Sequence, residues 1–340
     1  MAPGGARDTS AADLKTRDMD TFLGLIQTEM ERFEQRLDHA LRSDVELAHE
    51  VARYMSTVKG KRLRPALAVM CAKAAGICDD RIIQGGVVVE MIHAATMIHD
   101  DVIDSAATRR GKPSVNATWS DQIAVLMGDF LLSRALCILV GLGNLRALDT
   151  VSHATERLSQ GELFEIQIGQ QTDTSESSYF AMVGDKTASL VAASCQIGPI
   201  LGGASDEVIE AMGRYGESLG RAFQIADDIL DFTGDANTMG KPVGLDLRED
   251  KITLPLILAL QAAPAAQRDE LHQLLSNGSR NDPECQRIVE FVERFDGVAA
   301  AGAMAVEHGT RAQDCLAVLP ESPARAALEL AVQLVVARTH

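Results

Sequence analysis

The feature that most constrains this chain is a helical spacing of apolar residues along nearly its whole length, with strand-like alternation almost absent. Apolar residues recur three and four positions apart, so each segment would form a helix with one apolar face. Such faces are stable in water only when helices pack against one another. The sequence therefore predicts an all-α fold, a single-domain bundle of about 10–13 helices. The predicted helices are Asp20–Arg42, Val45–Thr57, Pro65–Ala75, Arg81–His99, Asp121–Val140, Leu145–Gly169, Tyr179–Ile197, Asp206–Phe232, Thr253–Ala262, Gln267–Leu275, Cys285–Phe295, Ala299–Leu319 and Ser322–Arg338.

The composition supports one large folded unit. Of the 340 residues, 46% are apolar, which allows a sizeable buried core and is unlike the polar excess of disordered chains. No Ser-, Gly- or Pro-rich linker separates the helical segments. We therefore assign residues 1–19 to a flexible N-terminal tail and residues 20–340 to one all-α domain.

The charge balance is acidic, with 48 acidic against 32 basic residues and a formal net charge of −16. This balance argues against a nucleic acid or an anionic membrane as the main partner, although a local cluster of cations could still bind anions. The six cysteines show no zinc-like spacing. We interpret them as reduced residues that fill the core, as is usual in cytoplasmic proteins.

Neither an export signal nor a membrane span is predicted. Residues 1–20 lack the apolar stretch of a signal peptide. The uncharged stretch Thr187–Ser205 has the 19 residues of a membrane span, but it contains Gly198, Pro199 and two further glycines. We interpret it as a buried helix that ends near Gly198, and we expect a cytoplasmic protein without an integral membrane segment.

Two aspartate clusters have the pattern Asp-Asp-x-x-Asp, and each ends a strongly apolar predicted helix. The clusters are Asp100, Asp101 and Asp104, and Asp227, Asp228 and Asp231. Residues four apart share a helix face, so the first and third aspartates of each cluster point together. Three like charges in one turn at a helix C-terminus are unfavourable without a cation. One such cluster would also fit a solvated helix end, but two predict helices that face each other across a Mg²⁺ site completed by substrate phosphates.

Two basic runs are candidates for binding those phosphates. Residues 60–65 read Gly-Lys-Arg-Leu-Arg-Pro, where the proline suits the first turn of a helix whose backbone N–H groups also bind anions. Residues 109–113 read Arg-Arg-Gly-Lys-Pro and follow the first aspartate cluster. Either run alone fits an ordinary surface, but next to the aspartates they indicate a metal–diphosphate site.

Several single residues give weaker signals. His93 lies two helical turns before Asp100 on the same face, although taken alone it would fit a core histidine. The other weak signals are Lys186, Thr187, Gln224 and Lys241.

An ordered series of segments extends the pattern from Val45 to the C-terminus. The segments are GKRLRP, IHAATMIHDDVIDSAATRRGKPSVN, LMGDFLLSRA, GDKTASL, FQIADDILDFTGD, GKPVGLDL and KITLPL. In these segments the chain resembles the trans-prenyl diphosphate synthases, and most closely their long-chain octaprenyl-to-decaprenyl members. The resemblance implies the isoprenoid synthase fold, a helical bundle around a central cavity, and a homodimer with one pocket per subunit.

The resemblance also implies roles for the candidate residues. Direct ligands of two or three Mg²⁺ ions, held partly through substrate diphosphate, would be Asp100, Asp104 and Asp227. The catalytic set would be completed by Asp101, Asp228, Asp231 and Lys186. An allylic diphosphate of the farnesyl or geranylgeranyl type would be held by Arg109, Lys186, Thr187, Gln224 and Lys241. Isopentenyl diphosphate would be held by Lys61, Arg64, His93 and Arg110.

The reaction implied by the resemblance begins with ionisation of the allylic diphosphate. The double bond of isopentenyl diphosphate then attacks the carbocation, and the departing diphosphate accepts the released proton. Metal and cations would stabilise the charge that develops on the leaving oxygens, and apolar helix walls would exclude water.

The sequence departs from the family pattern at one place. Relatives usually read Gly-Asp-Asp-Leu after the second aspartate helix, whereas residues 244–247 here read Gly-Leu-Asp-Leu. Leu245 therefore puts a carboxylate role at that position in doubt, and only Asp246 remains.

The product length is predicted from the helix that delivers Asp100. Ala95 and Thr96 lie five and four residues before it, one turn deeper, and short-chain relatives often carry an aromatic residue at one of these positions. Two small side chains would leave a tunnel open, so we expect an octaprenyl-to-decaprenyl product, with decaprenyl slightly favoured, for a ubiquinone side chain. The small residues could equally serve close helix packing.

Three other functions remain as alternatives. A terpene cyclase also ionises allylic diphosphates, but it needs neither the GKRLRP segment nor a second aspartate cluster. A head-to-head synthase would not depend on isopentenyl diphosphate. The chain could also be a silent subunit of a heteromeric synthase, although its aspartate clusters are intact.

Overall fold

The computed structural model describes residues 21–58, 60–171, 174–233, 244–276 and 281–337. The predicted N-terminal tail and Lys241 lie outside these residues. The α-helices, numbered in chain order, are α1 Gln27–Ala40, α2 Glu46–Thr57, α3 Leu63–Ala74, α4 Asp80–Ile103, α5 Val115–Thr118, α6 Asp121–Gly141, α7 Leu145–Gln171, α8 Glu176–Val183, α9 Ser189–Gly202, α10 Asp206–Thr233, α11 Leu245–Arg248, α12 Leu254–Ala262, α13 Ala265–Leu275, α14 Asp282–Arg294, α15 Gly297–Cys315 and α16 Pro323–Val336.

The all-α class predicted from the sequence is confirmed. Fourteen of these helices in the described ranges have eight or more residues. The predicted helix Tyr179–Ile197 corresponds to two of them, α8 and α9, because a π turn over Gly184–Ala188 joins the two helices. A single turn of 3-10 helix, Leu316–Val318, follows α15.

A short β-hairpin is the main element that helical periodicity did not predict. The strands β1 Thr108–Arg109 and β2 Lys112–Pro113 pair antiparallel. The two residues between them, Arg110 and Gly111, have φ values of 51° and 74°. Positive φ at both central residues is typical of a type I′ turn, whose twist matches paired strands.

The core is arranged around α9, which is buried along nearly its whole length. On one side α9 approaches α3 so closely that a Cβ at Gly198 would overlap the Ala68 carbonyl oxygen. On another side, Gly216 and Gly220 of α10 lie against the backbone of α9 at Ala192 and Ala188. Close packing of these backbones places α10, which carries the second aspartate cluster, directly beside the central helix.

The predicted end of the buried helix near Gly198 is wrong. Helix α9 continues through Pro199 to Gly202 and ends where Gly203 adopts a left-handed conformation at φ 77°. Proline lacks one backbone donor and strains the preceding turn, but packing on several sides offsets this cost here. The left-handed glycine is a common helix stop.

The predicted helix Cys285–Phe295 starts too late, because α14 begins at Asp282. Asn281 accepts a hydrogen bond from the Glu284 N–H at 3.1 Å, and Glu284 accepts one from the Asn281 N–H at 2.9 Å. This reciprocal capping box, followed by proline in the first turn, is a recognised helix start.

In the part of the chain that the structure describes, two helices are long and apolar enough to cross a membrane by length and composition alone. They are α4 and α6, whose most apolar 18-residue windows are 67% and 33% buried in the fold. Helix α4 is therefore a core helix of the bundle. Helix α6 leaves apolar side chains exposed, among them Val125, Leu126, Leu136 and Val140.

The six cysteines are all free. The interpretation of them as core fillers holds for Cys71, Cys195 and Cys285, which are buried, but it is wrong for Cys78 and Cys137, which are exposed. Cys78 lies in the segment between α3 and α4, and Cys137 lies on the solvent-exposed side of α6.

The close approach of α3 and α9 generates a stability prediction. We expect Gly198→Ala to lower the free energy of unfolding by roughly 1–3 kcal/mol, because the new methyl meets a backbone carbonyl that cannot rotate away. At Gly141 nothing lies within 4 Å of an added Cβ. Gly141→Ala should therefore leave the unfolding free energy unchanged or raise it by up to about 1 kcal/mol. Urea denaturation measures both, and equal effects would contradict the packing argument.

Candidate active site

The first aspartate cluster lies where α4 ends. Ser105 adopts a left-handed conformation at φ 51°, and the Ala106 N–H donates to the Asp101 carbonyl at 2.8 Å. These are the features of a Schellman motif, which ends α4 at Ile103 with Asp104 as the C-cap residue. The carboxylates of the cluster are thus held at a fixed helix end.

The aspartates of this cluster point in two directions. Asp101 is buried, and its Oδ1 accepts a hydrogen bond from Arg109 Nε at 2.8 Å and lies 2.6 Å from Nη2 in the same ion pair. Asp104 is partly exposed, and its Oδ2 lies 3.9 Å from Lys251 Nζ. The separation follows from the helix, in which neighbouring residues differ by about 100° in direction.

Asp100 is a strained carboxyl group in the metal-free molecule. Burial raises its pKa to about 7, and the nearby charge of Glu162 adds to this effect, while Lys186 opposes it. A carboxyl whose charged form is this unfavourable is suited to binding a cation.

The second aspartate cluster lies near the end of α10. Asp228 is buried and accepts hydrogen bonds from Tyr179 Oη at 2.6 Å and Gln224 Nε2 at 2.9 Å. Burial raises its pKa to about 8 despite these two bonds, and the charges of Asp246 and Asp227 contribute. Asp227 itself is half-buried beside it.

The third aspartate of this cluster has a structural partner. Asp231 accepts the backbone N–H groups of Leu245 at 3.1 Å and Asp246 at 3.3 Å, and so holds the start of the short helix α11. Burial and the charge of Asp231 raise the pKa of Asp246 to about 6. Asp246, the acidic residue that remains next to Leu245, therefore lies beside the second aspartate cluster.

Both clusters border one cleft, which we call the aspartate cleft. It is lined by Asp104, Asp228 and Asp246 together with Lys186, Thr187, Gln224 and residues of α7 and α8, and its volume is about 320 Å³. The prediction that the two aspartate helices face each other is thus confirmed. A volume of this size is at the small end for a ligand pocket.

Lys186 and Thr187 reach the aspartate cleft from the π turn. Lys186 Nζ donates to Glu162 at 2.8 Å and also to Glu165, and these carboxylates help raise the pKa of Lys186 although burial alone would lower it. Thr187 Oγ1 donates to Gln224 Oε1 at 3.1 Å. Three predicted substrate-binding residues are thus assembled on one side of the cleft.

Sequence reasoning missed Glu165, Glu249, Asp250 and Lys251, which line this cleft, and Glu162 beside it. Glu162 and Glu165 lie three residues apart on α7. Both contact Lys186, which is distant in sequence, so no local sequence pattern pointed to them. Lys251, in the KITLPL segment, forms an ion pair with Glu249 at 2.7 Å close to Asp104. Its position in a matching segment could have identified it.

A second cleft lies on the other side of α4, and we call it the arginine cleft. It is lined by Arg62, Arg109, Arg110, His93 and Asp101, with an apolar floor that includes Leu37, Met91, Ala94, Ile98 and Leu131. Burial lowers the pKa of His93 well below its usual range, and Arg64, Arg110, Arg109 and Arg62 add to this. His93 is therefore a neutral hydrogen-bonding group among cations.

The three cations of residues 60–65 do not have equal environments. Arg62 is paired with Glu90 at 2.7 Å and with Glu34 at 3.0 Å, so its charge is compensated within the protein. Arg64 is half-buried, its Nε is inaccessible to solvent and has no hydrogen-bond partner among the described residues, and burial lowers the pKa of its guanidinium. Lys61 is exposed at the start of α3. A buried guanidinium with an unused donor is suited to an anionic ligand.

The hairpin presents Arg109 and Arg110 at this cleft. Tyr54 Oη donates to the Pro113 carbonyl at 2.6 Å, and Lys112 Nζ donates to the Thr57 carbonyl at 3.1 Å. The guanidinium of Arg110 occupies the space that a side chain at Gly60 would fill. The left-handed conformation of Arg110 costs about 1–2 kcal/mol, so these contacts hold a strained residue in place.

The residues predicted to set product length lie deeper on α4. Ala95 is fully buried, and Thr96 is half-buried with its hydroxyl donating to the His93 carbonyl at 3.0 Å. Neither is among the residues that line the two clefts. Their role stays a prediction, and Lys241 lies outside the described residues.

The donor set fits a hard divalent cation that is completed by other ligands. Within the described ranges, no three His, Cys, Asp or Glu side chains are arranged to hold a metal ion by themselves. The carboxylates of the two clusters nevertheless supply oxygen donors, and burial disfavours their charge in the absence of a cation. Mg²⁺ usually takes only a few carboxylates and completes its shell with phosphate oxygens and water.

Comparison with known proteins places the chain among prenyl diphosphate synthases. The family model described as polyprenyl synthetase matches residues 45–292. An all-trans-nonaprenyl-diphosphate synthase (geranyl-diphosphate specific) from Rhodobacter capsulatus is 36% identical over 308 residues, which are 90% of this chain and 94% of that protein.

Two solved structures have the same architecture. A decaprenyl diphosphate synthase from Rhodobacter capsulatus superposes with a TM-score of 0.89 at 31% identity, covering 95% of this chain and 99% of that one. A polyprenyl synthase from Caulobacter crescentus CB15, complexed with calcium and isoprenyl diphosphate, has a TM-score of 0.88 at 30% identity, with coverages of 98% and 100%.

The buried carboxyl of Asp228 generates a pH prediction for the metal-free protein. Its folded pKa of about 8 lies above the unfolded value of about 3.9, so the folded state binds a proton that the unfolded chain releases. The melting temperature in chelator should therefore rise as the pH falls from about 9 to about 7. Asp228→Asn should show a smaller rise, whereas the exposed control Asp269→Asn should behave as the parent. Equal rises in all three proteins would contradict the prediction.

Proposed function

The chain belongs to the polyprenyl synthetase family, and we propose that this prenyltransferase is an all-trans long-chain polyprenyl diphosphate synthase. It would add isopentenyl diphosphate units to an allylic diphosphate primer. The observation that carries the proposal is the aspartate cleft, where carboxylates of both motif helices meet Lys186 and Thr187 beside a second, cation-rich cleft.

The allylic diphosphate is assigned to the aspartate cleft. Asp100, Asp104 and Asp227 would hold Mg²⁺, which supplies positive charge to the leaving diphosphate when it is bound. Lys186 now contacts Glu162 and Glu165, and it would turn from these carboxylates to the phosphate oxygens. The calcium in the complex of the Caulobacter enzyme supports the use of a divalent cation.

Isopentenyl diphosphate is assigned to the arginine cleft, which Arg110 and His93 line, and to Arg64 and Lys61, which are not among its lining residues. Arg64 offers an unused Nε donor, and Arg110 lies beside it, while Lys61 approaches from the surface. His93 can donate one hydrogen bond without adding a charge, because its pKa is depressed. Helix α4 separates the two clefts, so the two substrates would meet at its C-terminal end.

The proposed chemistry needs no side-chain base near the double bond. Cationic side chains stabilise the charge that develops on the departing diphosphate, which can accept the proton released after condensation. The apolar floor of the arginine cleft, formed by residues such as Ala94 and Ile98, would keep water from the carbocation. Each further cycle would use the lengthened product as the primer.

A second copy of the chain is the proposed partner. The exposed apolar side chains of α6 form a surface that is unfavourable in water, and Leu145, at the start of α7, extends it with 82% exposure. Burial of this face against its own copy would give the homodimer that the family resemblance implies. We place the dimer in the cytoplasm.

The proposed product is an octaprenyl to decaprenyl chain, with decaprenyl slightly favoured, and its proposed use is the side chain of ubiquinone. The small residues Ala95 and Thr96 support an open path for the growing chain. The names of the nonaprenyl and decaprenyl relatives from Rhodobacter capsulatus agree with a long product. The primer would be of the farnesyl or geranylgeranyl type.

The decisive experiment is incubation of the purified chain with Mg²⁺, labelled isopentenyl diphosphate and a series of allylic primers. Chromatography of the dephosphorylated products should show labelled linear chains that grow in five-carbon steps. Cyclic products without label would favour a terpene cyclase, and primer dimers a head-to-head synthase. An inactive chain that is rescued by a second protein would indicate a subunit of a heteromeric enzyme.

The two aspartate clusters generate a prediction about turnover. Asp100→Ala and Asp227→Ala should each lower kcat by roughly a hundredfold or more, the scale seen when a group that stabilises developing charge is lost. Chelation of Mg²⁺ should abolish turnover. Asp269→Ala, which changes an exposed aspartate of α13, serves as the control and should retain parental kcat. Near-parental activity in either cluster variant would refute its assignment.

The small residues of α4 generate a prediction about product length. Ala95→Phe should shorten the main product by several isoprene units, because the ring would block the path below the site while the first condensation proceeds above it. Thr96→Phe tests the same path from a half-buried position if the fully buried Ala95 does not accept a ring. Ala95→Ser is the small control. An unchanged product distribution in folded, active Phe variants would contradict the proposed path.

A further inference from the structure

The π turn that carries Lys186 is an unusual way to join two helices. The Ser189 N–H donates to the Gly184 carbonyl, five residues back, and Ser189 Oγ donates to the Asp185 carbonyl at 2.6 Å. Turns of this type are rare, occur mostly as single turns inside α-helices, and are frequent at functional sites. Something outside the helix must therefore hold this one in place.

Arg157 of α7 makes the external contacts. Its Nη2 donates to the Gly184 carbonyl at 3.0 Å, and its Nε donates to Asp185 Oδ1 at 2.7 Å. The same guanidinium donates to both carboxylate oxygens of Glu217 on α10 at 3.3 Å, and Glu217 is held in turn by Arg221 at 3.1 Å. The planar fork of Arg157 thus ties the two residues before Lys186 to a third helix.

Helix α7 also fits the backbone of the turn closely. A Cβ at Gly161, one helical turn after Arg157, would overlap the backbone nitrogen of Lys186. Glu162, the next residue, binds the ammonium group of the same lysine. The backbone and the side chain of Lys186 are therefore both located by one face of α7.

The turn is connected to the second aspartate cluster as well. Thr187 donates to Gln224, and Gln224 donates to Asp228, in consecutive hydrogen bonds of 3.1 Å and 2.9 Å. A shift of the turn would therefore move the lysine and would also disturb the neighbours of that cluster.

We propose that Arg157 is a positioning residue for the allylic diphosphate, acting through the π turn on Lys186 and Thr187. The proposal rests on the proposed function. Arg157 is not among the residues that line either cleft. It orients the turn so that the lysine exchanges its glutamate partners for phosphate oxygens without a change in the backbone.

The test is Arg157→Lys, which keeps the charge but removes the fork. We expect the KM for the allylic primer to rise about tenfold and kcat to fall roughly 10–100-fold, since an error of about 1 Å in placing a charge-stabilising group can cost a hundredfold. The KM for isopentenyl diphosphate should stay within about twofold. Arg146→Lys is the control, because Arg146 lies on the same helix and pairs with Asp206 away from both clefts.

A double-mutant cycle distinguishes positioning from a general loss of stability. If Arg157 acts through Lys186 and Thr187, then adding Arg157→Lys to a variant that already carries Lys186→Ala and Thr187→Ala should reduce kcat/KM by no more than about threefold. A full additional tenfold loss, or an equal rise of both KM values in the single variant, would overturn the proposal.

Hydrogen exchange gives a readout that does not depend on the reaction. Backbone amides of residues 184–189 should exchange faster in Arg157→Lys than in Arg146→Lys, with no ligand present. Unchanged exchange would overturn the proposal even in an active enzyme. If exchange is faster in Arg157→Lys but the parent chain elongates no primer, then Arg157 holds the turn as proposed and the proposed function is wrong.

Discussion

Carboxylates from four helices, α4, α7, α10 and α11, border the aspartate cleft, and their mutual repulsion in a partly buried space is offset by the cations arranged around them. Burial raises the pKa of Asp100 to about 7 and of Asp228 to about 8. The cations nearby are already engaged, since Arg109 binds Asp101 and Lys186 binds Glu162 and Glu165. In this arrangement an anionic substrate and its metal would enter by exchanging ion pairs, because each new charge replaces one that the protein already compensates.

Helix α4 divides the site in two because consecutive residues leave a helix in different directions. Asp101 faces the arginine cleft, and Asp104 faces the aspartate cleft. The same helix is a core element whose apolar residues pack along most of its length. Because the core holds α4 rigidly, Asp101 and Asp104 are held in fixed positions relative to the two clefts.

Helical periodicity and the aspartate spacing predicted the fold class, most helix intervals and the meeting of the two clusters. Local rules failed where tertiary contacts decide the conformation. The π turn depends on Arg157 from a helix about thirty residues earlier, and the hairpin depends on contacts of Tyr54 and Lys112 with distant backbone. Glu162 and Glu165 were missed for the same reason. An acidic pair on a long helix does not indicate a binding site until the position of its partner, Lys186, is known.

The π turn has a consequence for the history of the chain. Such a turn holds one residue more than a regular helical path of the same span, so it is the structural equivalent of a single-residue insertion. In a homologue with a regular α-helix in place of the π turn, this region would be one residue shorter. Its sequence would align with this chain only if a one-residue gap were placed inside the helix, between positions 184 and 188. Alignments that forbid gaps in helices would then shift every residue on one side of Lys186 by one position, and they would pair it with an unrelated neighbour.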